Sequence, residues 1–505
     1  MNSTLLTVIA LAVSGGIYIF IAWQIHRKSV ALKDLLPIGL GSSQARVQTS
    51  TEFSAATVAT TISLATVILA YSELASYMGT WLLWTVCTTA IGIYVVRLFA
   101  PVIWLRLAET GDYRPTLHDF LGTAFGSDRL ARIAALCTSL GFIGALAVEL
   151  SVGSRFLSGL IPGLPAWVAV TILSAIGVTY TMLGGFRGVI ITDRIQMWAI
   201  WLAIAALGAL MLMQIVELGG LPYVAQKMPV TVYDFSWRDG LAAFLLGIAV
   251  INIPTFLADM SIWQRIAGTK DQNTVNNGLL RSVVSAAFSW TMLATLACLL
   301  VILVVPKDGE NPLLTFLKTI SQSPSFITAT LFLVSVAGLY AASLSTASTQ
   351  LIAAGHALHV DLIRKSTNRT VLANSSTELT LSRWVLLGSA SVALLVVEIL
   401  RAAGFSIADL VFAVYGAQLG MVPAVVAGIL MKKVHRIAIG KFVVVAVLLG
   451  FASGWGSAGF GKATDNGDLV FLSPLVSLLT SSGVLLIGFI YSWIQATRSG
   501  NGHSA

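Results

Sequence analysis

Long apolar runs separated by short polar segments make up almost the whole chain. A helix that crosses a bilayer needs about 20 mostly apolar residues, and thirteen runs meet that length. We therefore predict an all-α membrane protein with thirteen transmembrane helices in one transporter-sized domain, residues 1–505. The runs lie at approximately 4–24, 52–76, 78–105, 131–158, 164–183, 188–216, 239–263, 278–305, 325–360, 384–403, 405–431, 439–456 and 469–494.

Composition excludes a water-soluble protein. Of the 505 residues, 56% are hydrophobic and only 10% are charged, where a soluble globular chain has roughly a quarter charged. The surplus apolar surface therefore needs a lipid bilayer as its partner. The net charge of +8 does not indicate nucleic-acid binding, because the basic residues are scattered between apolar runs. We expect a monomer.

The distribution of Lys and Arg predicts the orientation of the chain. If the N-terminus lies outside, the inner segments hold 22 of the 30 basic residues and the outer segments hold 7, with Arg97 inside a span. Cytoplasmic loops of membrane proteins carry such an excess. We therefore predict a multi-pass protein of the cell membrane with the N-terminus outside and the C-terminus in the cytoplasm.

Two polar interruptions suggest an inverted repeat. Several hydroxyl residues interrupt the second span within residues 57–66, and Asn252 and Pro254 interrupt the seventh. Because these spans stand five crossings apart, units that begin with them lie in opposite orientations, an arrangement common in transporters. We assign residues 49–217 to the first repeat and 239–431 to the second. Residues 1–48 then form an extra N-terminal helix and inner loop, and 439–494 form two C-terminal helices.

A hydroxyl stripe on the ninth span has the chemistry of a sodium site. Ala342, Ser345, Thr346 and Thr349 follow the i, i+3, i+4, i+7 rule of one helix face, and Ser348 lies at its edge. A dehydrated monovalent cation needs several oxygen ligands, which hydroxyls and the carbonyls of a broken helix supply without excess negative charge. The stripe also suits a packing face of small residues.

Glu149 is the most deeply placed acid of the apolar runs. A carboxylate inside the membrane is costly and is therefore a functional candidate. Glu149 could bind an amino group of a solute, take up a proton, or pair with Arg97 of the third span.

The segment YTMLGGFRGVIITDRIQ, residues 180–196, resembles the signature of the sodium/solute symporter family at nine positions. The resemblance extends to ATTIS at 59–63, DMSIWQR at 259–265 and the small hydroxyl motif at 342–346. It implies a leucine-transporter-like fold with five plus five inverted helices. It also implies sodium as the coupling ion, held at a main site whose ligands are Ala59, Ile62, Ala342, Ser345 and Thr346.

The same resemblance suggests further site residues. Some members of the family hold a second sodium, for which the matching residues here are Asp193, Ser345, Ser348 and Thr349. For the solute we expect contacts with Thr61, Ser63, Thr66, Cys87, Glu149 and Asn252. Sialic acid is disfavoured, because apolar residues near Phe142 replace the expected arginine and Cys87 replaces a polar residue.

The predicted function is sodium-coupled import of a small organic solute by alternating access. The alternative is a symporter-like membrane sensor. The tail after Trp493 is too short for a kinase, so a sensor would need a separate signalling partner. An enzyme is not expected, since the HExxH and GxSxG motifs are absent from the sequence. Small amino acids, short carboxylates and pantothenate-like molecules remain open as solutes, with sugars less favoured.

Overall fold

A computed structural model describes residues 3–38, 48–108, 115–305, 310–322, 325–365, 368–402 and 407–500. Within these ranges all the secondary-structure elements are helices, apart from one isolated β-bridge between Gln48 and Thr269. The first half contains α1 (Ser3–His26), α2 (Leu32–Leu35), α3 (Ser50–Thr61), α4 (Ala70–Met78), α5 (Leu82–Ala108), α6 (Leu117–Phe125), α7 (Asp128–Leu160), α8 (Ala166–Glu217), α9 (Leu221–Lys227) and α10 (Val230–Tyr233). The second half contains α11 (Leu241–Asn252), α12 (Met260–Ala267), α13 (Gln272–Leu303), α14 (Pro312–Ile320), α15 (Phe326–His356), α16 (Arg369–Ala373), α17 (Ser376–Ala402), α18 (Ile407–Gln418), α19 (Val422–Leu430), α20 (Lys433–Ala438), α21 (Gly440–Ala463), α22 (Gly467–Phe471) and α23 (Ser473–Gly500).

Eleven helical segments of the described chain are long and apolar enough to cross a membrane. Two of them are far longer than one crossing requires: Leu64–Leu105 has 42 residues and Ala166–Glu217 has 52 residues. At 1.5 Å per residue they would extend roughly 63 and 78 Å, about twice the hydrocarbon thickness of a bilayer.

Glycines interrupt both of the long segments. Gly79 has φ 50° and ψ −128°, and Gly185 has φ 55° and ψ −157°. Side chains disfavour these conformations. A Cβ at Gly185 would also lie 2.6 Å from the carbonyl oxygen of Leu35. The chain therefore changes direction at both positions.

The predicted interruption of the second span lies between α3 and α4. Ile62 has ψ 71° and Ser63 has ψ 142°, so the backbone leaves the helical region for two residues. A π-helical turn, Leu64–Leu69, then leads into α4. The span therefore consists of two separate helical segments, and the main-chain hydrogen bonds of a single helix do not continue across the break.

The seventh span is interrupted as well. α11 ends at Asn252, a short 3₁₀ turn covers Thr255–Leu257, and α12 begins at Met260. Pro254 lacks the N–H group that a continuous helix would require. The carboxylate of Asp259 accepts a hydrogen bond of 2.7 Å from the backbone N–H of Ser261, which caps α12 and stabilises its new start.

α15 lies at the centre of the helical assembly. It packs against α8, α7 and α3, and from Gly338 to its end its side chains are buried on all faces. Small residues permit this close packing: at Gly338, the neighbouring Ala199 and Ala203 of α8 leave no room for a Cβ. Large apolar side chains such as Trp198, Phe288 and Leu395 are exposed instead on the outside, as expected of a surface that faces lipid.

Candidate functional site

The break after α3 leaves carbonyl oxygens free for a ligand. The last main-chain hydrogen bond of α3 runs from the Ile62 N–H to the Val58 carbonyl, at 3.1 Å. The next N–H groups do not continue this pattern: in the described chain those of Leu64 and Ala65 make no main-chain hydrogen bond to α3, and they lie near the Glu149 carboxylate. In a continuous helix these N–H groups would donate to the carbonyls four residues earlier. Those carbonyls therefore lose their usual donors.

The Thr66 N–H follows the same pattern, because it donates to Ser63 Oγ at 2.9 Å. The break therefore leaves main-chain oxygens of the span without their usual helical donors.

The hydroxyl stripe of α15 lies against this break. Thr346 Oγ1 lies 3.5 Å from the carbonyl oxygen of Thr60, which stands between the predicted ligands Ala59 and Ile62. All five residues predicted for the main sodium site are buried: Ala59, Ile62, Ala342, Ser345 and Thr346. The structure thus brings the two distant stretches together, and the contact that it records runs through Thr60.

The residues predicted for a second sodium site lie around Asp193 of α8. Ser345 Oγ donates a hydrogen bond of 2.7 Å to Asp193 Oδ1, and Ser348 Oγ donates one of 3.0 Å to the Ser345 carbonyl. Asp193 is fully buried, and in the described chain its Oδ2 has no hydrogen-bond partner. A buried carboxylate oxygen without a hydrogen-bond donor is a good candidate ligand for a cation.

Tyr180 of the 180–196 segment supports the same region. Its hydroxyl donates to the Leu344 carbonyl at 2.6 Å. The segment that carries the family resemblance therefore packs directly on the hydroxyl stripe.

Arg265 is a functional candidate that the sequence analysis missed. The distribution of basic residues assigns it to a cytoplasmic segment, whereas the structure places it 2% exposed within the protein. Its Nη2 donates to Thr60 Oγ1 at 3.1 Å and to Thr349 Oγ1 at 3.3 Å, and its Nη1 donates to Ser261 Oγ at 3.1 Å. One side chain therefore joins α12 to α3 and α15.

Arg265 is enclosed because the break before α12 turns that short helix inward. All eight residues of α12 are buried, which a charge count along the sequence cannot detect. The signal that pointed to this residue was the DMSIWQR motif at 259–265.

A cavity of about 150 Å³ lies beside the α3 break. Three of the predicted solute contacts, Thr61, Thr66 and Asn252, line it. The remaining wall is largely aromatic and polar, with Tyr71, Phe142, Trp290, Phe412, Tyr415 and Gln350, and with Asp259 and Arg265 as charged lining groups. The cavity suits a small amphipathic molecule, because it combines aromatic faces with a few placed polar groups.

Ser63 and Glu149 do not line the cavity. Ser63 Oγ donates a hydrogen bond of 2.5 Å to Glu149 Oε2, and both side chains are 1% exposed. The structure therefore places this pair behind the wall of the cavity. The alternative in which Glu149 pairs with Arg97 is wrong, because Arg97 Nε donates instead to the Asn276 carbonyl at 3.4 Å.

Cys87 lies outside the site as well. Its side chain is exposed, whereas Thr85 lines the cavity and Thr88 accepts a hydrogen bond of 3.1 Å from Asn252 Nδ2. Successive residues of a helix are about 100° apart, so the face of α5 that carries Thr85 and Thr88 turns Cys87 away. We correct its assignment as a solute contact.

These features define a class: a multi-pass, all-helical membrane transporter built around an interrupted helix. The family model of the sodium:solute symporter family matches residues 45–439. The chain belongs to this family. Its members are transporters, and the chain is accordingly a transmembrane sodium symporter and not an enzyme.

Solved structures agree on the fold. The chain is similar to a Na⁺-coupled sialic acid symporter in a substrate-bound outward-open state, with a TM-score of 0.74, 17% sequence identity, and coverage of 97% of this chain and 98% of that one. It is also similar to Mhp1, a nucleobase-cation-symport-1 family transporter, in a closed conformation with bromovinylhydantoin bound; the TM-score is 0.55 at 13% identity, covering 88% of this chain and 93% of that one. The transporters of known structure that it matches have the leucine-transporter fold.

A curated relative is the sodium/pantothenate symporter of Haemophilus influenzae (strain ATCC 51907 / DSM 11121 / KW20 / Rd). The two are 27% identical over 113 residues, which is 21% of this chain and 23% of that relative. The match therefore spans less than a quarter of the relative.

Proposed function

We propose that the protein is a sodium-coupled secondary symporter that imports a small organic solute by alternating access. The observation that carries the proposal is the contact between Thr346 Oγ1 and the Thr60 carbonyl at 3.5 Å. It brings a hydroxyl of α15 to the point where α3 has lost its helical hydrogen bonds, an arrangement that suits a dehydrated alkali ion.

At the main site, the carbonyls of Ala59, Ile62 and Ala342 and the hydroxyls of Ser345 and Thr346 hold one sodium ion. The ion joins α3 to α15 and so fixes the broken span beside the cavity. Sodium and solute then raise the affinity of the protein for each other by the same factor.

A second sodium ion binds near Asp193, Ser345, Ser348 and Thr349. The unpartnered Oδ2 of Asp193 supports this site. Among these ligands, the hydroxyl of Thr349 already contacts a cationic group, because Arg265 Nη2 donates a hydrogen bond of 3.3 Å to Thr349 Oγ1.

The architecture consists of thirteen crossings with two inverted five-helix repeats. Each of the two long segments supplies two crossings, one on either side of Gly79 and of Gly185, which raises the eleven segments to thirteen. The breaks at 62–63 and 253–259 stand in corresponding positions of the repeats 49–217 and 239–431. The N-terminus lies outside and the C-terminus in the cytoplasm, in agreement with the distribution of basic residues.

The solute binds in the cavity and contacts Thr61, Thr66 and Asn252. Ser63 and Glu149 act from behind the wall. A volume of about 150 Å³ lies below the roughly 300–1,000 Å³ of pockets for drug-sized ligands, so a small solute suits the cavity. At 100 mV, one inward sodium ion contributes about 2.3 kcal/mol, and a tenfold sodium gradient adds roughly 1.4 kcal/mol.

A thermal-shift screen followed by uptake tests the proposal. The purified protein is heated with a panel of metabolites in sodium chloride and in choline chloride. A transported solute should raise the melting temperature more in sodium, because coupled ligands stabilise the folded state together. The stabilising solute should then accumulate in proteoliposomes only under an inward sodium gradient. Accumulation without sodium would contradict the proposal.

A further inference from the structure

Glu149 is a carboxylate that the protein holds at the start of a half-helix. It lies in α7, is 1% exposed, and accepts a hydrogen bond of 2.5 Å from Ser63 Oγ. The backbone N–H groups of Leu64 and Ala65 and the hydroxyl of Ser343 lie close enough to the same carboxylate to interact with it electrostatically. In the described chain Ser63 is the hydrogen-bond donor to Glu149, and the second carboxylate oxygen, Oε1, is buried without a hydrogen-bond partner.

The position of these donors is the anion-binding end of the broken span. Residues 64–78 form one continuous helical stretch, made of the π-helical turn and α4. Its first N–H groups have no partner within the helix, and its dipole places partial positive charge there. Transporters with broken helices aim such an end at an anionic group of the substrate, and here a side chain of the protein occupies it.

Fixed charges around the cavity disfavour a second anion. Asp259 and Arg265 line the cavity, and the acidic Glu149 and Asp193 are buried behind its wall. Three carboxylates and one guanidinium give a formal charge of −2. One or two sodium ions bring this charge toward zero, whereas a carboxylate solute would make it more negative. Charge compensation therefore favours a neutral or cationic solute.

We propose that Glu149 takes the place of a solute carboxylate, and that the transported solute is a neutral or cationic molecule without one. This inference rests on the proposed function, because it assigns the solute class of the same cavity. The carboxylate of Glu149 orders the start of residues 64–78 in advance, so the solute needs only to fill the aromatic cavity and to contact hydroxyl and amide groups such as Thr66 and Asn252.

Chemical rescue by formate tests the proposal. In Glu149→Ala the half-helix loses its anion, and a small carboxylate can enter the space that remains. The melting temperature of the full-length protein is measured against sodium chloride, with choline chloride to hold the ionic strength constant. Loss of the carboxylate and of its hydrogen bond with Ser63 should raise the half-saturating sodium concentration about tenfold. Choline formate should bring it back to within about threefold of wild type, and formamide, which is uncharged, should not.

Glu52→Ala is the matched control. Glu52 is a buried carboxylate at the start of α3, where it accepts a hydrogen bond of 2.9 Å from the Thr49 N–H. It caps the other half of the same span, and formate should not change the sodium titration of Glu52→Ala or of wild type.

Two results would overturn the inference. One is a Glu149→Ala protein that still responds to sodium but shows no response to formate. The other is a wild-type protein that a carboxylate solute stabilises in sodium more than its primary amide does. If Glu149→Ala does not fold, the comparison of a carboxylate solute with its primary amide still tests the inference. It is then made on wild type and on the nearly isosteric Glu149→Gln. The sodium titration of wild type alone tests the proposed function, so failure of the formate arm leaves that function standing.

Discussion

Replacement of Arg265 by methionine removes a positive charge from the centre of the site and nearly conserves the volume of the side chain. The guanidinium donates to Thr60 Oγ1 at 3.1 Å, and the carbonyl of the same threonine lies 3.5 Å from Thr346 Oγ1. Because both groups contact Thr60, the guanidinium lies within roughly 10 Å of the main sodium site, where two unit charges repel by about 1.7 kcal/mol at an effective dielectric constant of about 20.

We therefore expect Arg265→Met to bind sodium roughly ten to twenty times more tightly than wild type. In the absence of sodium the same variant should be less stable, because Asp193 and Asp259 lose the cation that interacts with both of them. Added sodium should then stabilise the variant more than it stabilises wild type.

The assay is a sodium titration of the melting temperature at constant ionic strength. Arg265→Lys is the control, because it retains the charge but lacks the planar fork that reaches Thr60 and Thr349 together. Its sodium midpoint should stay within about twofold of wild type. The reasoning fails if Arg265→Met binds sodium no more tightly than Arg265→Lys does.

Two further predictions concern α8. Asp193→Asn keeps an acceptor for the Ser345 hydroxyl but loses the charge, so it should lower the number of sodium ions per cycle from two to one in a reversal-potential measurement in proteoliposomes; one sodium ion per cycle in wild type would exclude the second site. Gly185→Ala should lose about 2 kcal/mol or more of stability, because φ is 55° and the new Cβ would lie 2.6 Å from the Leu35 carbonyl oxygen. Gly188→Ala, whose Cβ would meet only Ile25 Cδ1 at 3.7 Å, should melt like wild type, and equal melting of the two variants would argue against a strained turn at Gly185.

Much of this site could be predicted because its signals are local. The hydroxyl stripe of α15 follows the period of one helix, and the polar run at 57–66 marks the break in the second span. The position of Gly185 within the 180–196 segment likewise coincides with the interruption of α8. Periodicity predicts which residues share one face of a helix. A local run of polar residues predicts where a helix in the membrane is interrupted.

The errors arose where a contact depends on two distant elements. Ser63 and Glu149 stand in polar and apolar surroundings along the chain, and only the packing of α7 on the break turns their side chains toward each other. Arg265 follows the seventh apolar run and resembles a loop cation until the break at 253–259 turns α12 inward. The family resemblance suggests Cys87 as a solute contact, and the rotation of α5 relative to the cavity decides its exposure.

The most direct test of the central claim is the sodium dependence of melting in Thr346→Ala, with Thr330→Ala as the control on the exposed face of the same helix. Removal of one hydroxyl ligand should raise the half-saturating sodium concentration about tenfold, and Thr330→Ala should match wild type. A Thr346→Ala protein with an unchanged sodium midpoint, or a wild-type protein that melts identically in sodium and in choline, would contradict a sodium site between α3 and α15.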